Sequence, residues 1–336
     1  MPEVEHNTRI SSWQEGDHVQ GFAFLAKKER RQDRNGKDYL DLELADDTGS
    51  MVGKVWGGSP AITAEFEAHQ FVAFRGSVRS YRDQLQLNVD HCRIATDDDR
   101  KYGFDEKLLI PSTREDIDDL QTRLHGVLEK VERPVLRRLV KETLEVHGEA
   151  LRVHPAAKMM HHAYLGGLLE HTVSMAELAA NICSHYRYLD QDLILVGILF
   201  HDLGKIHELG AMPANDYTKA GRLVGHVVIG WDLLRERCKA IEDFPEDLQL
   251  HLEHLVLSHQ GKKEYSAAVE PMTAEALALH FIDDLDSKLA QVIQAREKDE
   301  PMQFLKGLGR YFFVSEGLEA AAGPESEETS DSTTDP

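Results

Sequence analysis

The stretch "DLILVGILFHDLGK" (192–205) joins an apolar run to the titratable side chains of His201, Asp202 and Lys205. The apolar residues of 193–200 predict a helix that is buried on all sides. Acidic and basic groups are costly to bury unless they are paired or bind a metal. The stretch therefore predicts a functional site at the end of a core helix.

Histidine is concentrated around this stretch. Thirteen of the 18 histidines lie between His147 and His280, and neutral imidazole is the most common metal ligand. From about residue 113 onward, apolar residues recur at three- and four-residue spacing, which predicts helices. The second half of the chain is therefore predicted to be an all-helical domain (113–315) that contains a metal centre.

Successive predicted helices each carry one candidate ligand on or near their apolar side. In chain order these are His171, His201 with Asp202, His226, His259 and Asp283. Taken singly, each is more often a core or surface residue than a ligand, so the ordered set carries the prediction. A helical bundle can bring such side chains together in its core, and imidazole and carboxylate suit Mn²⁺, Fe²⁺, Zn²⁺ or Mg²⁺. Nearby histidines interpreted as ordinary residues are His251, His254 and His280.

The N-terminal part of the chain has the alternation of β-strands. "KDYLDLELAD" (37–46) places leucines on one face and polar residues on the other, and Asn35-Gly36 before it is typical of a hairpin turn. Further strand patterns cover 50–56, 70–78 and 85–94, with a short helix predicted over 61–69. The chain has the character of β-structure from residue 17 onward, so these four patterns follow a first strand. Five strands with one intervening helix predict an OB-type β-barrel over 17–96, after a leader (1–16) and before a polar linker (97–112).

The predicted fold class is therefore multidomain α+β, with an OB-type barrel followed by an all-α bundle. OB barrels commonly bind single strands by stacking bases on aromatic side chains beside basic residues. Tyr39, Trp56 and Tyr81 are the candidate stacking residues, and Lys54 and Arg79 are the candidate phosphate contacts. Packing in the barrel core or between domains is the alternative for each aromatic side chain.

Charge is distributed unevenly along the chain. The net charge of −21 argues against a protein that coats nucleic acid with a basic face, but six basic residues lie within 27–37. Residues 316–336 contain seven acidic residues and no basic one, which predicts a disordered acidic tail. A cytoplasm of high salt concentration is another explanation of the overall acidity.

The sequence offers no sign of export or membrane insertion. The N-terminus lacks an apolar signal core, and the run 193–200 is too short to cross a bilayer. Three scattered cysteines, Cys92, Cys183 and Cys238, favour free thiols over disulfides. We therefore expect a cytoplasmic protein without a membrane partner.

The order of His171, His201-Asp202 and Asp283 resembles the HD superfamily of metal-dependent phosphohydrolases. More narrowly, "PAAKMMHHAYLGGLLEHTVSM" (155–175), "HDLGK" (201–205) and "EPMTAEALALHFIDDLDSK" (270–288) resemble YhaM-type 3′→5′ exoribonucleases. The resemblance covers roughly 17–313 and includes the order of an OB domain followed by an HD domain. The long motif at 155–175 is the specific part of this resemblance.

The resemblance implies a role for each matching residue. His171, His201, Asp202 and Asp283 would bind a first ion, and His226 and His259 would bind a second ion bridged by Asp202. Asp202 and Lys205 would be catalytic, and Lys158 and His162 would contact the substrate. Gln260 stands in "SHQG" where two-metal relatives often have "SHHG", so the number of ions, one or two, stays open. Mn²⁺ is the ion expected first, ahead of Mg²⁺, Fe²⁺ and Zn²⁺.

The resemblance thus implies an exonuclease that hydrolyses single-stranded RNA to nucleoside monophosphates, with single-stranded DNA as a second polymer substrate. One alternative is an HD phosphohydrolase that acts on a small nucleotide or a cyclic dinucleotide. The absence of a "GYP" motif after "HDLGK" weakens the cyclic-dinucleotide form. The other alternative is a nucleic-acid-binding accessory protein whose HD site has decayed. The sequence does not indicate an oligomeric state.

Overall fold

A computed structural model describes residues 4–81, 84–158, 164–212, 215–265, 267–296 and 301–314. The N-terminal part forms a six-stranded sheet with strands β1 (Val4–His6), β2 (His18–Gln32), β3 (Asp38–Asp46), β4 (Gly49–Val55), β5 (Gln70–Tyr81) and β6 (Gln84–Ile94). The strand order is β1-β2-β3-β4-β6-β5, and β5 also pairs with β2. This last pairing closes β2 to β6 into a five-stranded barrel. The parallel pairing of β4 with β6 completes the predicted OB topology.

The predicted alternation of β3 is confirmed. Leu40, Leu42 and Leu44 are buried in the barrel core, while the polar residues between them are partly exposed. The turn at Asn35-Gly36 is also confirmed: Gln32 pairs with Asp38 across it. Gly36 has a φ of +74°, which is a conformation that glycine adopts without strain.

The helix predicted over 61–69 is wrong in extent, because only a short 3₁₀ helix forms at Pro60–Thr63. Beyond it the chain is irregular, and Phe66 is buried in the barrel core. The Lys28 ammonium donates a hydrogen bond to the Phe66 carbonyl. The apolar pattern of 61–66 thus reflects core filling by an irregular segment and not the period of a helix.

Segments outside the predicted barrel range of 17–96 also pack on the barrel. Ile10 and Trp13 are buried in its core, and Asp99 accepts two hydrogen bonds from Arg93 at 2.7 and 2.6 Å. The Arg9 guanidinium donates to the Leu108 carbonyl at 2.8 Å. Parts of the predicted leader and linker therefore lie against the barrel, while the domain limits themselves stay a prediction.

The C-terminal part is helical, with a second hydrophobic core of its own. Its helices are α1 (Ile117–Leu128), α2 (Pro134–Val153), α3 (Gly167–His185), α4 (Gln191–His201), α5 (Lys205–Glu208), α6 (Lys219–Leu223), α7 (His226–Ala240), α8 (Glu246–Ser258) and α9 (Ala274–Ala295). Helix α4 is buried along its length from Asp192 to His201, as its apolar run predicts. A hairpin that periodicity did not predict follows α9, with strands β7 (Met302–Leu305) and β8 (Arg310–Phe313).

Two further sequence expectations can be compared with the described residues. Cys92, Cys183 and Cys238 are free and buried, as predicted for scattered thiols. Across the described ranges, the helices are all too short or too polar to traverse a lipid bilayer. The predicted tail 316–336 lies outside the described residues.

Candidate metal centre

The helical domain brings all six candidate ligands together. His171 lies on α3, His201 ends α4 and Asp202 follows it, His226 begins α7, His259 follows α8, and Asp283 lies on α9. These side chains form two groups whose ligand atoms lie within 4.8 Å of one another: His171 with His201 and Asp283, and Asp202 with His226 and His259. We call them the first trio and the second trio.

In the first trio, three ligand atoms surround one point in the core. The Nε2 atom of His171 lies 3.3 Å from Oδ1 of Asp283 and 3.3 Å from Nε2 of His201. Both imidazoles are essentially inaccessible to solvent. Two imidazole nitrogens and a carboxylate oxygen at this spacing are a suitable donor set for a divalent transition metal.

Asp202, a member of the second trio, also faces the first trio. Its Oδ2 atom is 3.4 Å from Nε2 of His201, and its Oδ1 atom is 3.4 Å from Nε2 of His226 and 3.8 Å from Nε2 of His259. One carboxylate oxygen therefore faces each trio. This position explains why an aspartate follows a ligand histidine directly at the end of α4.

Each of the four histidines has its Nδ1 atom held by an acceptor. Nδ1 lies 2.6 Å from the Ile198 carbonyl in His201, 2.7 Å from the Val256 carbonyl in His259, 2.7 Å from Asp286 in His171 and 3.1 Å from Glu208 in His226. These contacts favour a proton on Nδ1 and an unprotonated Nε2, which is the nitrogen that faces the site. Imidazoles oriented in this way, three of them buried and His226 partly buried, are typical of metal ligands.

Asp286 and Glu208 have roles that the sequence reasoning did not assign. Asp286 follows the candidate ligand Asp283 by three positions and so lies on the same helical face. Glu208 follows Lys205 by three positions and also accepts a hydrogen bond from the His226 backbone at 3.0 Å. Helical spacing was the available signal for both residues.

The second trio also contains unsatisfied polar atoms. Asp202 Oδ1 and His226 Nε2 are buried without a hydrogen-bond partner, and such a group costs about 1–3 kcal/mol when it stays unpaired. The two atoms lie 3.4 Å apart, a separation compatible with neighbouring ligands of one cation. The residues present therefore fit a divalent metal.

The electrostatics of the first trio favour added positive charge. Burial opposes protonation of His171, but hydrogen bonds with Asp283 and Asp286 outweigh it and raise the pKa of His171 to about 9. Burial also opposes ionisation of Asp283, yet the hydrogen bond with His171 lowers its pKa to about 2. The raised pKa of His171 reflects the negative charge of the Asp283 and Asp286 carboxylates, which would also attract a metal cation.

The pKa values of His259 and Lys205 are shifted in opposite directions. Burial lowers the pKa of His259 to about 4, so its imidazole is neutral near pH 7, as metal binding requires. Burial also opposes the charge of Lys205, but the adjacent Asp202 carboxylate raises the pKa of the lysine. The second trio thus combines a neutral imidazole with a charged ammonium beside it.

Lys205 lies at the inner end of a cavity that opens from the second trio. Its Nζ atom is 2.5 Å from Asp202 Oδ2, and its side chain is only 12% exposed, so it points into the site and not towards solvent. The cavity has a volume of about 770 Å³ and includes Lys158, Tyr217 and Arg222 in its lining. It is large enough for a nucleotide.

Of the two predicted substrate contacts, Lys158 and His162, the structure describes only Lys158. Lys158 lines the cavity and pairs with Asp216 at 2.7 Å, below the Tyr217 ring. Arg222 also pairs with Asp216, at 3.0 Å. His162 lies outside the described residues. The cavity thus has a basic rim that the sequence indicated only through Lys158.

Gln260 lies beside the second trio. Its Nε2 atom is 2.9 Å from Nε2 of His259, and it lines the cavity. The histidines interpreted as ordinary lie outside both trios: His254 accepts a hydrogen bond from the Met272 backbone, and His280 bonds to the His259 carbonyl. Three ligands of the second trio therefore come together despite the glutamine.

On the barrel, the five predicted contact residues share one outer face. Strand register aligns Asp41 with Lys54, Lys54 with Asn88 and Arg79 with Gln86, and residues two apart point to the same side. The face therefore contains Tyr39, Lys54, Trp56, Arg79 and Tyr81. Within it, the Tyr39 and Trp56 rings lie 5.2 Å apart, while the Lys54 ammonium pairs with Asp41 at 2.6 Å.

Comparisons with known proteins agree with this geometry in the helical domain. Residues 168–288 match the family model of the HD domain, a range that includes every residue of both trios. The match supports a metal-dependent phosphohydrolase in general. A second family model, TraI_2, described as a helicase family, matches residues 109–192.

Solved structures similar to this chain include several OB-fold domains. The second OB-fold domain of replication protein A from Methanococcus maripaludis is 23% identical, and the match covers 27% of this chain and 94% of that domain with a TM-score of 0.23. An OB domain from Thermoplasma acidophilum is 16% identical, with coverage of 28% and 85% and a TM-score of 0.20. A replication protein A heterotrimer bound to single-stranded DNA is 16% identical, with coverage of 29% and 75% and a TM-score of 0.21.

The two halves of the chain are thus identified by different observations. Strand order and barrel closure define the N-terminal half, and the family match together with the two trios defines the C-terminal half. The chain combines an N-terminal OB-type barrel with an HD domain.

Proposed function

We propose that this protein is a metal-dependent 3′→5′ exoribonuclease that shortens single-stranded RNA and releases nucleoside monophosphates. The observation that carries the proposal is the pair of adjoining trios, with Asp202 of the second trio facing both and Lys205 beside it in the lining of a nucleotide-sized cavity. The RNA substrate and the direction of cleavage come from the resemblance of 155–175, 201–205 and 270–288 to YhaM-type enzymes.

The residues divide the chemistry between them. The two trios would hold one or two divalent ions, for which we propose Mn²⁺. Such an ion activates water as a nucleophile and offsets charge on the phosphoryl group. Lys205 would bind a non-bridging phosphate oxygen as a point charge, while its pairing with Asp202 keeps the ammonium in place before substrate enters. The basic rim at Lys158 and Arg222 would hold the next phosphate.

The barrel would hold the strand that the HD domain shortens. Its outer face has Tyr39, Trp56 and Tyr81 as stacking surfaces, with Arg79 exposed on β5. Each stacked base contributes about 1–3 kcal/mol without regard to sequence. Most of the net negative charge lies outside the barrel, so a local basic and aromatic face on the barrel can still bind a polyanion.

The test uses purified protein, Mn²⁺ and 5′-labelled single-stranded RNA or DNA, with products resolved by length. We expect a progressive ladder on RNA that Asp202→Ala abolishes, because this change removes the ligand between the trios. Asp284→Ala is the control, because it also removes an aspartate close to the site. Asp284 adjoins the candidate ligand Asp283 on α9 but pairs with Lys288 at 2.7 Å. The control should retain wild-type cleavage.

Other outcomes would identify the competing functions. Hydrolysis of a mononucleotide or a cyclic dinucleotide without cleavage of either polymer would contradict the exonuclease proposal. Tight binding of RNA without hydrolysis of any of these substrates would favour an accessory protein. Metal analysis of the wild type and of His259→Ala would count the ions, with a loss of one ion expected for the variant if two are bound.

A further inference from the structure

The barrel has a cavity of its own on its outer surface. This cavity has a volume of about 760 Å³, and its lining includes His6, Gln20, Arg75 and His91. Register pairs these four residues in a row across β1, β2, β5 and β6: His6 with Gln20, Gln20 with Arg75, and Arg75 with His91. Paired residues lie on the same side of a sheet. Because neighbouring strands are about 4.8 Å apart, the row extends over about 14 Å.

Arg75 gives this cavity a positive charge that the protein does not balance. Its side chain is exposed, and within the described residues its guanidinium forms no ion pair and no hydrogen bond. Arg93 also lines the cavity, but it is bonded to Asp99 at 2.7 and 2.6 Å. A guanidinium can bind two oxygens of one phosphate through parallel N–H donors. The cavity therefore offers a binding place for a phosphate group.

An exposed aromatic ring lies at the β1 end of the row. Tyr102 lines the cavity and is 66% exposed. Its backbone carbonyl accepts a hydrogen bond of 2.8 Å from the side chain of Asn7, the residue that follows His6. The segment is held on the barrel by Phe104, whose ring centroid lies 5.2 Å from that of Phe22 on β2. The Tyr102 ring is thus a fixed surface on which a planar group could stack.

The opposite end of the row leads to Trp56. A smaller cavity of about 300 Å³ shares Pro60 and His91 with the larger one and includes Trp56 in its lining. The Trp56 indole donates a hydrogen bond of 3.1 Å to the side chain of Asn88 on β6, so Trp56 lies on the β6 side. We call the two adjoining cavities the barrel groove, which runs from Trp56 across β6, β5 and β2 to Tyr102.

We propose that the barrel groove binds a further part of the RNA strand, beyond the bases held by the face of Tyr39, Trp56 and Tyr81. This proposal rests on the proposed function, in which the barrel holds single-stranded RNA. Trp56 belongs to both the face and the groove, so the two surfaces form one path. A strand that stacks on Trp56 would continue to Arg75, which would bind a phosphate, and to Tyr102, on which another base would stack.

Single-stranded nucleic acid matches the groove better than other anions do. The aromatic rings of Trp56 and Tyr102 at its two ends, with a guanidinium between them, suit a ligand in which planar rings alternate with phosphates. An acidic peptide has no such rings. It would also bring its carboxylates close to Asp90, an exposed acidic residue in the lining of the smaller cavity, where a nucleic acid can place an uncharged base.

Fluorescence anisotropy on the full-length protein tests this proposal with labelled oligouridylates of about 4 and about 16 nucleotides, the range of site sizes of OB folds. EDTA in the buffer prevents metal-dependent hydrolysis, so binding is measured separately from cleavage. For the long probe, Arg75→Ala should reduce the slope of log K against log salt by about 0.7, because one phosphate contact to a single strand is lost. Tyr102→Ala should lower the affinity for the long probe about tenfold, because one stacked base is lost. Both variants should bind the short probe like the wild type, since the face around Trp56 is unchanged.

Arg187→Ala is the matched control. Arg187 is an exposed arginine between α3 and α4, so this variant should keep the slope and the affinity of the wild type. Wild-type binding of the long probe by both Arg75→Ala and Tyr102→Ala would overturn the groove proposal and leave the proposed exonuclease unaffected. Equal losses for the short and long probes would also overturn it, because the groove would then bind a short nucleotide and not the continuation of a strand. A wild type that binds neither probe would overturn both the groove and the role of the barrel in holding RNA, while the cleavage assay with Mn²⁺ tests the HD domain independently.

Discussion

The four imidazoles of the metal centre present Nε2 to the site because a fixed acceptor holds each Nδ1. Two acceptors are backbone carbonyls three residues earlier in the chain, at Ile198 and Val256. Such carbonyls come with the end of any helix, so His201 and His259 are oriented by their own helices. His171 and His226 depend instead on the carboxylates of Asp286 and Glu208. These two carboxylates are therefore the side chains on which the geometry of the site depends.

We expect Asp286→Ala to weaken Mn²⁺ binding about 10–100-fold, the usual effect of losing a partner of a metal ligand. The variant keeps all six candidate ligands but releases the His171 ring and the Ser174 hydroxyl that also donates to Asp286. Isothermal titration calorimetry measures the change. Asp284→Ala, two positions away on α9, is the control and should bind Mn²⁺ like the wild type. Equal affinities for the two variants would contradict the assigned role of Asp286.

At the scale of elements, the close approach of α5 to α7 positions the second trio. Gly204, at the start of α5, lies so near α7 that a Cβ atom would be 2.1 Å from the His226 carbonyl oxygen and 2.6 Å from the Gly230 nitrogen. The glycine of "HDLGK" is thus required by packing. It allows the segment that carries Asp202 to lie against the first turn of α7, where His226 is located.

Gly204→Ala should lower the free energy of unfolding by at least about 2 kcal/mol, because the added methyl group meets backbone atoms that cannot rotate away. Gly126→Ala is the control within α1, where a Cβ atom meets nothing within 4 Å. This exposed change should raise the free energy of unfolding by about 1 kcal/mol. Urea denaturation measures both, and two effects of the same sign would contradict the prediction.

The segment after the barrel is held by an ion pair that should depend on pH. Hydrogen bonds from Arg93 hold the pKa of Asp99 far below its usual value of 3.8. A carboxyl group whose pKa is lowered by folding stabilises the fold at pH values above its pKa in the unfolded chain. This contribution is lost as the pH falls from that value towards the pKa in the folded protein. We expect Asp99→Asn to lower the free energy of unfolding at pH 7 by about 2 kcal/mol. Urea denaturation at a series of pH values should show that the difference in free energy of unfolding between the wild type and Asp99→Asn shrinks below pH 3.8. A difference that stays constant with pH would contradict the prediction.

At the scale of the whole molecule, strand binding and hydrolysis are predicted to lie in different domains. Trp56→Ala should raise the KM for long single-stranded RNA about tenfold through the loss of one stacked base, while kcat on a dinucleotide stays unchanged. The control is Tyr188→Ala. Tyr188 is an exposed aromatic residue that packs on Tyr186 as Trp56 packs on Tyr39. Steady-state kinetics on both substrates measures these constants. If Trp56→Ala changed the KM for long RNA and the kcat on the dinucleotide together, the division between the two domains would be contradicted.

Much of the fold could be predicted because its signals are local. Alternation over 37–46 and the apolar run over 193–200 follow from burial on one side or all sides, and both are visible within ten residues. The signal for the ligand types is also local, because an imidazole and a carboxylate at the end of a buried helix need a partner such as a metal ion. The segment 61–69 shows the limit, because an irregular stretch that fills a core resembles a helix in its apolar spacing.

The sequence by itself determined the strands of the barrel, the helices of the second domain and the residue types of the metal centre. Only the tertiary structure decided how six ligands divide into two trios, which carboxylates orient His171 and His226, and where residues 4–16 and 97–108 lie. It also decided which apolar residues of α9 stay exposed. The physical reason is that periodicity records whether a residue is buried, whereas the partner of a buried or exposed group depends on contacts between elements distant in the chain.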